Sequence, residues 1–241
     1  MKTLFVLTLK AALRDPFLLF WSILLPAGAV VGLGLPAGQP EYAARLLTGM
    51  TAMSVFFYAF TTTAFAIMGQ RRRGVYSLLG VTPMPLWQYV FAVASAWTVI
   101  SLACALIVLA VGATALRQPL SVSALLLVVP VVFAASLGYV LLSFWFSRFC
   151  RNEAQVSMMT NLVALPLLLC SDAFYTLESA PSWLQTAARL NPFQALLNGL
   201  RQAVTLQTGG SLLSAGLLLT VCAAALPLAA WSLRYADSRS R

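Results

Sequence analysis

Apolar residues run in six long stretches, at 17–35, 46–68, 86–116, 122–146, 154–171 and 212–233, and ionisable groups gather between the stretches rather than within them. Each approaches or exceeds the roughly 20 residues a helix needs to cross the hydrocarbon core. The stretches are continuously apolar, without the period-two alternation of a barrel strand, so the pattern predicts helices. It describes an all-α integral membrane protein with six transmembrane helices, forming one transmembrane domain over 1–241. The third stretch is over-long and is expected to begin with an interfacial turn.

Three segments outside the spans carry patterns of their own. In 1–15, Lys2, Lys10 and Arg14 fall within one ~120° helical arc, shared with Val6 and Leu13, which predicts a moderately amphipathic interfacial helix. A signal peptide is disfavoured because Lys10 and Arg14 interrupt the apolar core and no A-x-A site precedes Asp15. In 70–85, Gln70-Arg71-Arg72-Arg73-Gly74 precedes Val75, Leu78, Leu79 and Thr82 at helical spacing, and Thr82-Pro83-Met84-Pro85 ends the run. This reads as a short amphipathic helix pinned by arginines, either a topogenic cluster or a docking surface for a cytoplasmic partner. In 172–211, Pro181 is expected to open a short helix to about Arg189. Asn191-Pro192 then supplies an N-cap and a first-turn proline for a second helix, ending near Gly209-Gly210. The apolar part, 193–204, is too short to span and suits a re-entrant hairpin, with Glu178, Arg189 and Arg201 at headgroup level.

Composition supports the membrane reading: 61% of residues are hydrophobic and 9% charged, against about 25% charged in soluble domains. Net charge is +9, with the basic residues at span ends rather than on one patch, so nucleic acid is not an expected partner. With a cytoplasmic N-terminus, Lys2, Lys10, Arg14, Arg71, Arg72, Arg73, Arg148, Arg151, Arg234, Arg239 and Arg241 lie on one side with three acids, net +8. Arg45, Arg117, Arg189 and Arg201 lie on the other with three acids, net +1. The positive-inside rule then predicts both termini in the cytoplasm and 172–211 outside. Trp and Tyr residues near the span ends suit aromatic belts at both interfaces.

Histidine is absent, which removes the usual general base and the commonest metal ligand. Cys104, Cys150, Cys170 and Cys222 are not spaced as metal pairs and read as small buried hydrophobes. No catalytic or metal constellation is visible, so no enzymatic site is expected. No G-x-x-x-x-G-K-[ST] phosphate loop occurs either. Gly28 and Gly32 form a G-x-x-x-G pair, open to reading as a helix-contact face or as a chance spacing.

Four stretches together resemble the membrane subunit of a type-two ABC exporter, the permease family of drug, lipo-oligosaccharide and polysaccharide exporters. They are Arg14-Asp15-Pro16 leading to Phe20-Trp21 and Pro26; Arg73-Gly74-Val75-Tyr76-Ser77-Leu78-Leu79 with Thr82-Pro83; Phe146-Ser147 with Asn152-Glu153-Ala154-Gln155; and Pro181, Trp183-Leu184-Gln185, Asn191-Pro192 and Leu200-Arg201. Their order and spacing cover nearly the whole chain. The resemblance implies a separate ABC ATPase subunit that holds ATP and Mg, and a second permease protomer in a homo- or heterodimer. No cofactor is expected on this chain itself. The implied setting is the plasma (inner) membrane, among membrane lipids. It also implies that Arg71, Arg72, Arg73, Gly74, Tyr76, Leu78, Leu79 and Thr82 couple nucleotide-driven motion to the membrane. Many relatives carry a glutamate just before the glycine. Here Gln70-Arg71-Arg72-Arg73 has no acid, so a salt bridge built on that glutamate is in doubt.

Within the spans, Phe56-Phe57-Tyr58, Phe60 and Thr61-Thr62-Thr63 are open to two readings, lipid-facing aromatics with self-bonded threonines or a pathway lining. Met158-Met159-Thr160-Asn161 is similarly open, since an asparagine at depth requires a partner, whether another helix or cargo. In the resembled family, spans two and five line the path, which selects Phe57, Thr61, Met158 and Asn161 as pathway residues. The scarcity of buried charge favours an apolar or amphipathic cargo. The function expected is ATP-driven export by alternating access; the alternative is an ATP-independent channel or a scaffold.

Overall fold

The protein is described here by a computed structural model covering residues 2–14, 16–37, 39–75, 86–118, 120–173 and 180–237. All regular structure among these residues is helical. In chain order the helices are α1 (Lys2–Leu13), α2 (Pro16–Ala37), α3 (Pro40–Phe56), a six-residue π-helical segment (Phe57–Thr62), α4 (Thr63–Arg72), α5 (Leu86–Ala115), α6 (Val122–Ser147), α7 (Glu153–Leu169), α8 (Ser182–Leu190), α9 (Pro192–Val204) and α10 (Thr208–Asp237).

Among the described residues, four helices are long and apolar enough to cross a membrane: Glu41–Arg72, Trp87–Ala115, Val122–Ser147 and Thr208–Ala229. The apolar helix Glu153–Leu169 falls short of that length, whereas the 22 residues of α2 cover about 33 Å. At 1.5 Å per residue, the 17 residues of α7 cover about 26 Å, slightly less than the ~30 Å hydrocarbon core. Outward-facing apolar side chains recur on the long helices, among them Phe91 and Ile107 on α5, Leu126 and Phe133 on α6, and Leu213 and Leu217 on α10. A water-facing surface would not carry them in such number.

α6 is the central post. It packs against α10, α9, α5, α4, α3 and the π segment, while the main neighbours of α7 among the described residues are α4, α9 and the π segment. Small residues permit the close approaches. A Cβ at Gly199 on α9 would sit 2.6 Å from Val131 Cγ1 and 3.0 Å from Ser214 Cβ. Gly112 on α5 similarly admits Leu47 and Val30. Gly28 and Gly32, by contrast, face open space within this chain and make no helix contact here. Hydroxyls bond across the helices: Ser54 Oγ donates to Ser22 O at 2.8 Å, and Ser136 Oγ donates to Ser101 Oγ at 3.0 Å.

The π segment carries the aromatic heart of the bundle. Phe56 stacks on Phe60 at 5.3 Å and meets Tyr139 at 5.1 Å and Phe193 at 5.8 Å edge-on, tying α3 to α6 and α9. Phe56, Tyr58 and Phe60 are buried in protein, which excludes the lipid-facing reading for these three rings. The wider turn shifts the helix face there, and Thr63 Oγ1 donates to Tyr58 O at 3.4 Å, five residues back.

Two boundaries differ from those expected. α4 continues through Arg72, so Gln70, Arg71 and Arg72 belong to the helix rather than to the connection. α9 ends at Val204, and Gly209 and Gly210 lie inside α10. The stop is made without glycine: Gln207 N donates to Gln202 O at 2.8 Å and Leu206 N to Ala203 O at 3.2 Å, with Leu206 at φ 61°. Gly210 serves a close approach instead, since a Cβ there would lie 2.7 Å from Gln202 Oε1. α5 is one continuous helix from Leu86, with no turn at the start of its apolar run.

The glycine geometry predicts a contrast. Gly199→Val overpacks the α9–α6–α10 junction and should cost about 1–3 kcal/mol, whereas Gly28→Val should stay within about 0.5 kcal/mol. Thermal unfolding of the purified variants in one detergent checks both.

Candidate functional site

The arginine run sits where α4 ends. Gly74, at φ 71°, turns the chain away, a conformation that strains any residue with a Cβ. Gly74 N donates to Arg71 O at 3.1 Å. Arg71 Nη1 donates to Cys150 O at 3.3 Å, and Arg72 Nη1 pairs with Glu153 Oε1 at 2.6 Å between two exposed side chains. The α6–α7 connection is thereby held against the end of α4. Its turn is fixed by Asn152 Oδ1, which accepts from Gln155 N at 2.9 Å, and by Gln155 Oε1, which accepts from Arg151 N at 2.7 Å. Beneath lies a small apolar cluster of Ala64, Met68, Cys150 and Val156, with Phe65 and Met159. Burial there pushes the Cys150 thiol up, against the opposing pull of the Arg71 guanidinium. Arg73 is exposed. Tyr76, Leu78, Leu79 and Thr82 lie outside the described residues.

The four pathway candidates fall on two surfaces. Phe57 and Thr61 belong to a half-exposed stripe, Met53, Phe57, Thr61 and Phe65, that runs down one side of the α3–π–α4 span. Thr61 Oγ1 is buried without a hydrogen-bond partner among the described residues. Met158 and Asn161 lie on the outward face of α7, in line with Leu162, Leu165 and Leu169, all exposed. It is the opposite, inward face of α7 that meets α4, where Val156 and Met159 cluster with Phe65 and Met68. Asn161 makes no hydrogen bond, interhelical or other, within the described residues.

At the opposite end of the bundle, the α8–α9 hairpin is held by polar side chains. Asn191 Oδ1 accepts from Phe193 N at 2.9 Å, capping α9, while its Nδ2 donates to Leu167 O at 2.7 Å and Cys170 O at 3.0 Å at the end of α7. Gln194 Nε2 donates to Asp172 Oδ1 and Asn198 Oδ1, both at 2.9 Å. Arg201 closes on Asp172 with a 2.7 Å ion pair, and each side chain is about three-quarters buried. Phe193, Leu196, Leu197 and Leu200 are buried against protein, so α9 is a short helix wedged into the bundle. Arg189 remains exposed, and Glu178 lies outside the described residues.

Sequence reasoning found Asn191 as a cap but not its grip on α7. It also missed Glu153, the acid that pairs with the arginine run in place of the absent glutamate, and Gln70, which accepts from Tyr89 Oη at 2.6 Å. The Asn152-x-x-Gln155 capping pattern was a usable signal for the turn that presents Glu153.

Asn191→Ala should cost about 2–4 kcal/mol, from a lost cap and two orphaned carbonyls. A double-mutant cycle should give a larger coupling for Asp172–Arg201 than for Arg72–Glu153, whose exposed pair is worth about 0–1 kcal/mol. Chemical denaturation in detergent, with and without added salt, measures both.

Residues 1–205 match the family described as ABC-2 type transporter. The chain is also similar to a probable multidrug ABC transporter permease, YbhR, of Escherichia coli K12: 27% identical over 156 residues, 64% of this chain and 42% of the relative. The protein of the same description in Escherichia coli O157:H7 aligns equally. The aligned part thus spans less than half the length of these curated relatives. With a family match across most of its length and a bundle of apolar, membrane-length helices, the chain belongs to the ABC-2 type transporter family.

Proposed function

We propose that this chain is the membrane subunit of an ATP-driven exporter with six spans, α2 and α7 completing the four long helices. Two protomers form the pathway, and a separate ABC ATPase supplies the energy by binding ATP and Mg. The single observation that carries the reading is the face of α7. Met158, Leu162, Leu165 and Leu169 are exposed there beside an asparagine that has no partner among the described residues. An unpaired amide facing acyl chains is costly, while the same amide facing a second protomer or a cargo is satisfied. The half-open Phe57–Thr61 stripe lies on the neighbouring α3–π–α4 span, and the buried Thr61 hydroxyl, partnerless among the described residues, is suited to a hydrogen bond from cargo.

Coupling runs through the arginine end. Closing of the ATPase dimer pushes on Arg71, Arg72, Arg73, Gly74, Tyr76, Leu78, Leu79 and Thr82, and the push travels along α4 to the π segment and the Phe57–Thr61 stripe. Through Arg71 and Arg72 it also reaches the start of α7, so both pathway surfaces move together and alternately open inward and outward. The basic run calls for an acidic groove on the ATPase. Both termini are cytoplasmic and the α8–α9 hairpin external, in the inner membrane. Cargo is apolar or amphipathic, because the apolar stretches carry no Asp, Glu, Lys or Arg between their ends to receive an ion. The similarity to a probable multidrug permease supports a drug-like cargo, with a lipid or lipid-linked glycan as alternatives.

Copurification from mild detergent tests the assignment. A P-loop ATPase should accompany the tagged chain in stoichiometric amount. Arg71→Glu/Arg72→Glu/Arg73→Glu should lose it while remaining monodisperse. A monodisperse protein with no ATPase partner, whose flux dies with an ion gradient at constant ATP, would overturn the reading in favour of a channel.

A further inference from the structure

A cavity opens between the start of α3 and the end of α9. It measures about 350 Å³ and is walled by Glu41, Arg45, Thr48, Gln118, Arg201 and Thr205, with an apolar floor from Leu47, Leu120 and Val204; Gln118 already has a partner of its own. Its depth follows from helix geometry. Arg45 and Arg71 sit near opposite ends of one continuous span, 26 residues apart, hence about 39 Å at 1.5 Å per residue. A bilayer with its headgroups is about 40–45 Å thick. With Arg71 in one headgroup layer, Arg45 lies in the other.

The chemistry of the wall is asymmetric. Arg201 is already matched by Asp172. Thr48 Oγ1 donates to Ala44 O and Arg45 O, and Thr205 Oγ1 to Arg201 O and Gln202 O, so neither hydroxyl proton is available to a ligand. Both oxygens can still accept. Arg45 and Glu41 stand one helical turn apart, yet they make no ion pair with each other, nor a side-chain hydrogen bond or ion pair with any other described residue. Arg45 is only half-exposed. The cavity therefore offers one unmatched guanidinium, one unmatched carboxylate and two hydroxyl acceptors, over an apolar floor.

We infer that this cavity binds the headgroup of a phosphoethanolamine lipid. The phosphate lies on Arg45, the primary ammonium donates to Glu41 and the threonine oxygens, and the glycerol and first acyl carbons rest on Leu47, Leu120 and Val204. A phosphocholine head brings a cation without N–H donors and leaves those acceptors unmet. A phosphoglycerol head brings no cation for Glu41. A phosphate on a partly buried guanidinium gains from charge-assisted hydrogen bonding.

The test uses the full chain, delipidated and then titrated with phosphatidylethanolamine, phosphatidylcholine or phosphatidylglycerol of matched acyl chains, with bound lipid read by native mass spectrometry. Phosphatidylethanolamine should bind about tenfold more tightly than either competitor, the worth of a charged hydrogen bond. Glu41→Gln should erase that preference while leaving phosphatidylglycerol binding intact. Arg45→Gln should weaken all three lipids about equally. Soluble glycerophosphoethanolamine at millimolar concentration should displace nothing, because it lacks the chains that rest on the floor. Equal affinities for the three lipids, or an unchanged preference in Glu41→Gln, would overturn the inference. Displacement by the soluble head would identify a free phosphoester as the ligand and overturn the lipid assignment.

Discussion

One amide holds the short end of this bundle together. Asn191 spends its oxygen on the first turn of α9 and both amide hydrogens on the last carbonyls of α7. A helix of 13 residues cannot cross a bilayer, and its ends would leave backbone groups unsatisfied if they met lipid. Asn191 closes two helix ends at once, and Gln194, Asp172 and Arg201 secure the rest of the hairpin. Phe193, Leu196 and Leu197 can then be buried against α3 and α6 instead of facing acyl chains. The Phe56 ring that touches Phe193 passes that constraint on to the π segment.

From this follows the contrast between α6 and α7. α6 is packed on nearly every side, its valines, alanines and Gly138 admitting α5, α9 and α10. α7 is fixed at both ends, by Asn191 at one and by the Asn152–Gln155 turn with Glu153 at the other, but its middle has one face that no described residue covers. A helix held at its ends with an open, asparagine-bearing middle suits a pathway wall better than a structural post. Its two anchors are the arginine end and the hairpin.

Much of this was legible in the sequence, because the bilayer imposes simple rules. Continuous apolar runs gave the helices, and the arginines at 71–73 marked the end of the second span. Asn191-Pro192 announced its cap, since cap chemistry is local. What could not be read depends on distant contacts. Nothing local distinguishes Phe57–Thr62 as a π turn; packing against Tyr139, Phe146 and Trp97 selects it. Gly209-Gly210 looked like a helix stop; instead Gly210 makes room for Gln202, while Leu206 takes the left-handed position a glycine would normally fill. The pairing of Arg72 with Glu153 crosses 81 residues and has no periodic signature. Of the six expected spans, the 17-residue α7 falls short of membrane length, and it is where the open face lies.

The central claim is that the exposed face of α7 meets its counterpart in a second protomer. In a background with Cys104, Cys150, Cys170 and Cys222 replaced by alanine, Leu162→Cys on that face and Phe133→Cys on the lipid-facing side of α6 would each be oxidised in native membranes. The account predicts a disulfide-linked dimer for Leu162→Cys alone. Cross-linking at Phe133→Cys with none at Leu162→Cys would contradict it.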